Sequence, residues 1–190
     1  MSSLLDQKIL KGVVTMIVIC DMDEVICDFT DSMLCLYNKE YHTDVKKEQL
    51  TNWALPEDLK DIFMNTNNFF TELPPIDGAI EFVKELHNIS DELYIASCPS
   101  GSARIAKEKF LWMKIWLPEL VDNLVLTSNK QILKGDCIID DNPNHLKKFP
   151  GIPIVMDRPW NREPIENEYR IYDTDYNKIL KFLNSYATLY

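Results

Sequence analysis

The sequence predicts an α/β fold, a parallel β-sheet with helices on both faces. Three observations predict it. Strand-like and helix-like segments alternate from residue 13 to about residue 186. The run VVTMIVIC, Val13 to Cys20, is β-branched and too continuously apolar for a one-sided strand, as suits a central strand buried on both faces. Aspartate pairs directly follow two of the strand-like segments, at the edge where open α/β sheets hold ligands.

In chain order, residues 1–12 mix Leu, Ile, Lys and Gln and read as a short helix or loose arm. Val13 to Cys20 is the first strand. Asp28 to Tyr41 reads as a helix with Phe29, Met33, Leu36 and Tyr37 on one side. Thr43 to Pro75 changes texture and reads as short helices and loops, closed by Pro74-Pro75. Ala79 to His87 is helical, with Ile80, Val83 and Leu86 in phase. Glu92 to Ser97 (ELYIAS) is a strand that stops at Cys98-Pro99-Ser100-Gly101. Ala103 to Trp116 is an amphipathic helix, and Leu124 to Leu126 a short strand. Asp136 to Ile139 (DCII) is a strand ending at Asp140-Asp141-Asn142-Pro143. A short helix near His145 to Phe149, a strand Ile152 to Met156 and a helix Thr174 to Tyr186 complete the pattern, with no internal repeat.

Composition narrows the function. The 190 residues, 46% hydrophobic and 11% aromatic, suit one folded domain with a small insertion. No apolar run approaches the roughly 18–20 residues that span a membrane. Val13 to Cys20 is broken by Asp21 and lacks a small-residue cleavage site, so it does not read as a signal peptide. Thirty acidic residues against 20 basic give a net charge of −10, which excludes a general binder of nucleic acid polymers. An anionic small molecule then needs a local cation. Five cysteines (20, 27, 35, 98, 137) without a CxxC pair fit thiols of a reducing, cytoplasmic setting. Three histidines without HExxH argue against zinc.

Three strand ends bring Asp21, Asp23, Ser97, Asp140 and Asp141 toward one crevice. Four carboxylates there repel each other and lose hydration, and a divalent cation resolves both conflicts. An all-oxygen ligand set favours Mg²⁺ over zinc.

DMDEV at 21–25 resembles the first motif of the haloacid dehalogenase-like (HAD) phosphatases, IASC at 95–98 the second, Lys130 the third and IIDD at 138–141 the fourth. DMDEVICDF (21–29), NFFTELPPIDGA (68–79), IIDDNPNHLKKF (138–149) and MDRPWNR (156–162) are similar to the 5′(3′)-deoxyribonucleotidase branch, and the resemblance spans about residues 13–185. It implies a HAD-like Rossmannoid core, residues 13–29 and 77–190, with a small helical cap, residues 30–76, inserted after the first strand. It implies Asp21 as the nucleophile that forms an aspartyl-phosphate and Asp23 as acid and base, its backbone carbonyl also binding the metal. Asp21, Asp23, Asp140 and Asp141 are the implied metal residues. Ser97, Lys109 and Lys130 would meet the phosphoryl group, with Lys134 a weaker competitor for Lys130. Phe29, Trp53 and Phe70 would form a pocket for base and sugar. Arg158 and Arg162 either clamp anions or pair with acidic neighbours. The implied partner is a small nucleoside monophosphate, with no nucleic acid polymer and no membrane; a homodimer stays open. Asn52 stands where the animal relatives carry an aromatic, Cys98 replaces a Ser and Glu24 replaces a Gly, although the bacterial branch also uses Glu, which leaves the base preference open. Alternatives are a HAD phosphatase for another small phosphomonoester or a non-catalytic binding protein on the same fold.

Overall fold

The computed structural model describes residues 15–187 except Asn167 and Asp173. The readings for residues 1–12 and for Val13 and Val14 lie outside the described residues. Six parallel strands, β1 (Ile17–Asp21), β2 (Glu92–Ser97), β3 (Leu124–Leu126), β4 (Cys137–Asp140), β5 (Ile152–Met156) and β6 (Tyr169–Ile171), form one sheet in the order β3-β2-β1-β4-β5-β6. β1 is central, as its apolar run predicts. Asp21 and Asp140 are the last residues of their strands rather than the first after them, because Asp21 registers with Ala96 and Asp140 with Val155. β6 has no counterpart in the sequence reading. It is a three-residue edge strand with Arg170 at its centre, too short for any periodicity to show.

The helices are α1 (Phe29–Tyr41), α2 (Glu57–Asn65), α3 (Ala79–Ile89), α4 (Ala103–Trp116), α5 (Pro143–Leu146) and α6 (Tyr176–Ala187). Local chemistry sets their ends. Asp28 caps α1 by accepting from Asp31 N, and Ser102 caps α4 by accepting from Ile105 N. Asn142 caps α5 with Pro143 at its first position, so this helix starts before His145 and ends at Leu146, short of the expected Phe149. Gly78 at φ +77° supplies the left-handed turn before α3.

Alternation along the strands divides the core. Val18, Cys20, Leu93, Ile95 and Ile139 face the larger cluster, which includes residues of α3, α4 and α6. Ile19, Ala96, Ile138 and Val155 face the other cluster, with Leu146 of α5, Phe149 and Ile165. Gly151 lets β5 approach its neighbour: a Cβ there would stand 2.4 Å from Asp136 O.

The segment between Phe29 and Pro74 leaves the sheet and returns beside its point of departure. Cys27 bridges Pro75, Asp28 N donates to Pro74 O at 3.0 Å, and Ile76 N donates to Ile26 O at 2.8 Å. Within it, Phe29, Phe63, Phe69 and Phe70 pack as one aromatic cluster with ring centroids 5.1 to 6.3 Å apart. Helix α4 holds this segment to the sheet. Arg104 donates to the carbonyls of Phe63, Met64 and Thr66, which the end of α2 leaves without helical partners. Glu108 accepts from Asn68 N and Phe70 N at 2.9 and 3.1 Å, and Trp112 Nε1 donates to Leu73 O. Among the described residues no helix is long and apolar enough to cross a membrane.

Candidate active site

The strand order reverses between β1 and β4, where connections diverge and open a crevice. Asp21 and Asp140 end these two neighbouring strands, and Asp141 follows at once. A carboxylate oxygen from each of the three lies within 4.8 Å of the others, and all three residues are buried. Lys130, 1% exposed, opens the 3₁₀ turn Lys130–Ile132 and reaches back between them. Its Nζ lies 2.6 Å from Asp21 Oδ1 and 2.8 Å from Asp140 Oδ2. Asp21 Oδ1 also accepts from Met22 N at 2.6 Å, and Asp140 Oδ1 from Asn142 N at 2.8 Å. His145 Nδ1 stands 3.2 Å from Asp140 Oδ2.

The three carboxylates differ electrostatically. Burial and the charge of Asp140 push the Asp21 carboxyl well above the usual range, against the pull of Lys130. Burial and Asp140 push Asp141 up to about 8. At Asp140 burial acts upward too, but Lys130 and His145 outweigh it and hold the group well below the ordinary carboxylate range. Burial would weaken the Lys130 ammonium, yet Asp140 and Asp21 overcome it and hold the proton more tightly than in an ordinary lysine. Two of the three carboxylates thus share the Lys130 ammonium, and Asp141 has the Trp160 indole instead. The uncompensated negative charge and hard oxygen donors fit a divalent cation.

Asp23 makes a second cluster. Its carboxylate pairs with Lys109 Nζ and accepts from Ser97 Oγ at 3.3 Å, while Lys109 also donates to Ser97 Oγ at 2.6 Å. Cys27 Sγ lies 3.6 Å from the other Asp23 oxygen. Lys109 is wholly buried, its ammonium 4.4 Å from the centre of the Phe70 ring. The geometry therefore separates the expected residues. Asp21, Asp23, Lys130 and Asp141 line a cavity of about 460 Å³, together with Phe29, Trp53 and Phe70. Ser97, Lys109 and Asp140 are not among its lining residues: Ser97 and Lys109 contact Asp23, and Asp140 contacts Lys130. Trp53 is 41% exposed and tilts against Trp160, ring centroids 6.4 Å apart.

Several residues that shape this site did not emerge from the sequence. Trp160 Nε1 donates to Asp141 Oδ2 at 2.8 Å, and Asn161 Nδ2 donates to the Asp141 carbonyl at 2.7 Å. Both belong to MDRPWNR, so the motif carried a signal but not a role. Arg158, from the same segment, meets Glu24 rather than an open anion site, with Nε 3.0 Å from Glu24 Oε2. Arg162 is exposed, 3.6 Å from Asp157. Arg104 and Glu108 lie on α4, whose amphipathic pattern does not single them out.

The chain matches the family described as 5′ nucleotidase, deoxy (pyrimidine), cytosolic type C protein, over residues 15–181. It is similar to the 5′(3′)-deoxyribonucleotidase of Bacillus subtilis (strain 168), 29% identical over 163 residues, covering 80% of this chain and 90% of that protein. The same figures hold for the 5′(3′)-deoxyribonucleotidase of Bacillus phage SPbeta. Among solved structures it resembles a HAD family hydrolase of Deinococcus radiodurans R1 with bound phosphate and sodium: TM-score 0.60, 14% identity, 92% of this chain and 97% of that one. It also resembles YfnB of Bacillus subtilis bound to magnesium, with TM-score 0.57, 13% identity, and 90% and 99% coverage. At these identities the structural likeness speaks for the fold, and the parallel sheet with its crevice between β1 and β4 is that fold. With the family match spanning nearly its whole length, the chain belongs to the deoxy (pyrimidine) 5′ nucleotidase, cytosolic type C family of HAD-like phosphoric monoester hydrolases.

Proposed function

We propose that this enzyme is a Mg²⁺-dependent, cytoplasmic phosphatase of deoxynucleoside monophosphates that works through an aspartyl-phosphate on Asp21. The observation that carries the reading is the placement of Asp21. It stands at the floor of a mixed polar and aromatic cavity, in contact with Lys130 and within a three-carboxylate cluster. Asp21 attacks phosphorus and the ester P–O bond breaks. Asp23 gives a proton to the departing oxygen. Water then attacks the phosphorus of the aspartyl-phosphate, Asp23 takes the water's proton, and inorganic phosphate leaves. Lys130 offsets the charge that crowds Asp21 and the phosphoryl oxygens. Ser97 and Lys109 are assigned to the phosphoryl group by resemblance; their contacts with Asp23 also fix that side chain's direction. Mg²⁺ held by Asp21, Asp140 and Asp141, with the Asp23 carbonyl, would supply positive charge against the transferring phosphoryl group.

The segment of residues 30–76 acts as the cap. It brings Trp53 and Phe70 to the cavity beside Phe29 of the core, flat apolar surfaces that suit a base and a deoxyribose. A 2′-hydroxyl against these rings would lose its water without a partner, which favours deoxyribose. The test is a panel of 5′- and 3′-deoxynucleoside and ribonucleoside monophosphates, with glucose 6-phosphate as the outsider, each with and without Mg²⁺. Metal-dependent turnover led by dUMP or dTMP is the expected result. Preference for the sugar phosphate would overturn the substrate reading.

A further inference from the structure

Glu24 follows the Asp21–Asp23 motif, and its environment is unusual for a glutamate. Its backbone is left-handed at φ +62°, a conformation that glycine adopts more readily. Its side chain is almost fully buried, and both carboxylate oxygens are engaged. Oε1 accepts from Thr30 N at 2.6 Å. Oε2 lies 2.6 Å from Lys47 Nζ and 3.0 Å from Arg158 Nε, and Arg158 also donates to the Glu24 carbonyl. Lys47 has a weaker second partner in Asp31 at 3.4 Å. Burial by itself would favour the neutral acid, but the two cations outweigh it, so the carboxyl sits below its usual range.

The two cations come from separate parts of the chain, each close in sequence to an indole at the cavity. Lys47 opens the turn Lys47–Gln49, six residues before Trp53. Arg158 precedes the turn Pro159–Asn161, which contains Trp160. Both turns are stiffened by their own bonds. Lys46 N donates to Gln49 Oε1 at 2.7 Å, and Arg158 N donates to Asn161 Oδ1 at 3.1 Å. One buried carboxylate thus ties together the supports of the two rings.

We propose that Glu24 is a positioning residue that clamps Lys47 to Arg158 and so sets the spacing of Trp53 and Trp160 at the substrate cavity. The clamp acts on the inserted segment from the side away from Arg104 and Glu108 in sequence. Those two hold residues 63–70 through several backbone bonds, whereas among the described residues the stretch carrying Trp53 is held to Glu24 by the Lys47 ion pair alone, with Asn38 and Asp31 of α1 fastening only its start at Val45 and Lys47. Losing that pair frees the Trp53 side of the cavity and leaves the phenylalanine cluster fastened. The consequence for substrate preference rests on the nucleotide reading above; the spacing of the indoles does not.

The experiment uses Lys47→Met, Glu24→Gln and the double variant in the full chain, with Mg²⁺. Lys47 pairs with Glu24, which lines the cavity, but is not itself a lining residue and does not contact Asp21, Asp140 or Asp141, so Lys47→Met carries the test if Glu24→Gln fails to fold. The expected outcome is a KM for dUMP raised about five- to tenfold, with kcat and the KM for p-nitrophenyl phosphate within about twofold. The double variant should be no worse than the poorer single, because both remove the same bond. Independently of substrate, acrylamide should quench tryptophan emission more strongly in Lys47→Met than in the parent, and this increase should vanish in a Trp53→Phe background. Unchanged quenching in a folded Lys47→Met variant, or effects that add in the double variant, would overturn the clamp. Increased quenching supports the clamp even when the KM for dUMP stays constant; that combination removes the assignment of Trp53 to the base instead.

Discussion

The Trp160 indole donates to Asp141 Oδ2 at 2.8 Å while its ring leans on Trp53, so one side chain touches both the acidic cluster and the aromatic part of the cavity. Partners that orient a ligating carboxylate commonly tune metal affinity by an order of magnitude or more. Trp160→Phe keeps the ring and deletes the donor. It should weaken Mg²⁺ binding about tenfold and leave the ring contact with Trp53. A Mg²⁺ titration followed by calorimetry checks this, and equal affinities would count against an orienting role.

Replacing Asp21 by Asn should cut turnover at least about 10³-fold with every phosphomonoester, because the amide cannot act as the nucleophile. The fold should survive with an undiminished melting temperature. A buried charge beside Asp140 is removed, and Met22 N keeps an acceptor of the same shape. Turnover and melting curves on the same preparation decide it.

Chelation should abolish phosphate release, and Mg²⁺ should restore it. The pH dependence has a definite sign. In the metal-free chain burial and Asp140 hold the Asp141 proton up to about pH 8. A metal ion needs that oxygen bare, so binding at pH 7 should release a proton, and affinity should fall as pH drops from 8 to 6. Calorimetry in two buffers of different protonation heat measures the release. Affinity independent of pH over this range would contradict the assignment of Asp141.

Truncating Trp53 to Ala should lower kcat/KM for dUMP relative to p-nitrophenyl phosphate, since base stacking on an aromatic ring is worth about 1–3 kcal/mol. If stacking is equal in ground and transition states, the loss appears in KM. The ratio for the two substrates, before and after the change, is the measurement. A constant ratio in a folded variant would reduce Trp53 to packing.

Glu108→Gln should destabilise the protein by about 1–3 kcal/mol. The amide weakens the acceptor for the Asn68 and Phe70 N–H groups and ends the ion pair with Arg104 at 2.7 Å. Urea unfolding gives the number. A change below the scatter of repeat measurements would show that the clasp from α4 is dispensable.

Much of this architecture is legible in the sequence. Residues such as Val18, Ile19, Ile138 and Ile139 announce strands because they are apolar and β-branched on both faces of a buried sheet. ELYIAS and the helix Ala103–Trp116 match their observed bounds for the same reason, a clear period with marked ends. What stays hidden depends on pairing across distance. Arg170 in β6 reads as a surface charge until Asp157 stands 2.9 Å from it. Lys109 and Lys130 would pass for solvated lysines by composition, and only the ordered motifs single them out; burial beside Asp23, Asp21 and Asp140 is a tertiary fact. Glu24 shows the limit most plainly. Its type and position are visible, but its two cations lie 23 and 134 residues away.

The hydrogen bond between Asp28 N and Pro74 O closes the excursion of residues 29–73 at its neck. Lengthening, shortening or exchanging what lies beyond such a neck need not displace the strand that carries Asp21, because both ends are already stitched to each other. The reactive floor and the chamber above it can therefore diverge at different rates. New substrate tastes can be tried on one stable chassis, and a graft between relatives, joined at Asp28 and Pro74, should exchange selectivity while leaving the chemistry in place.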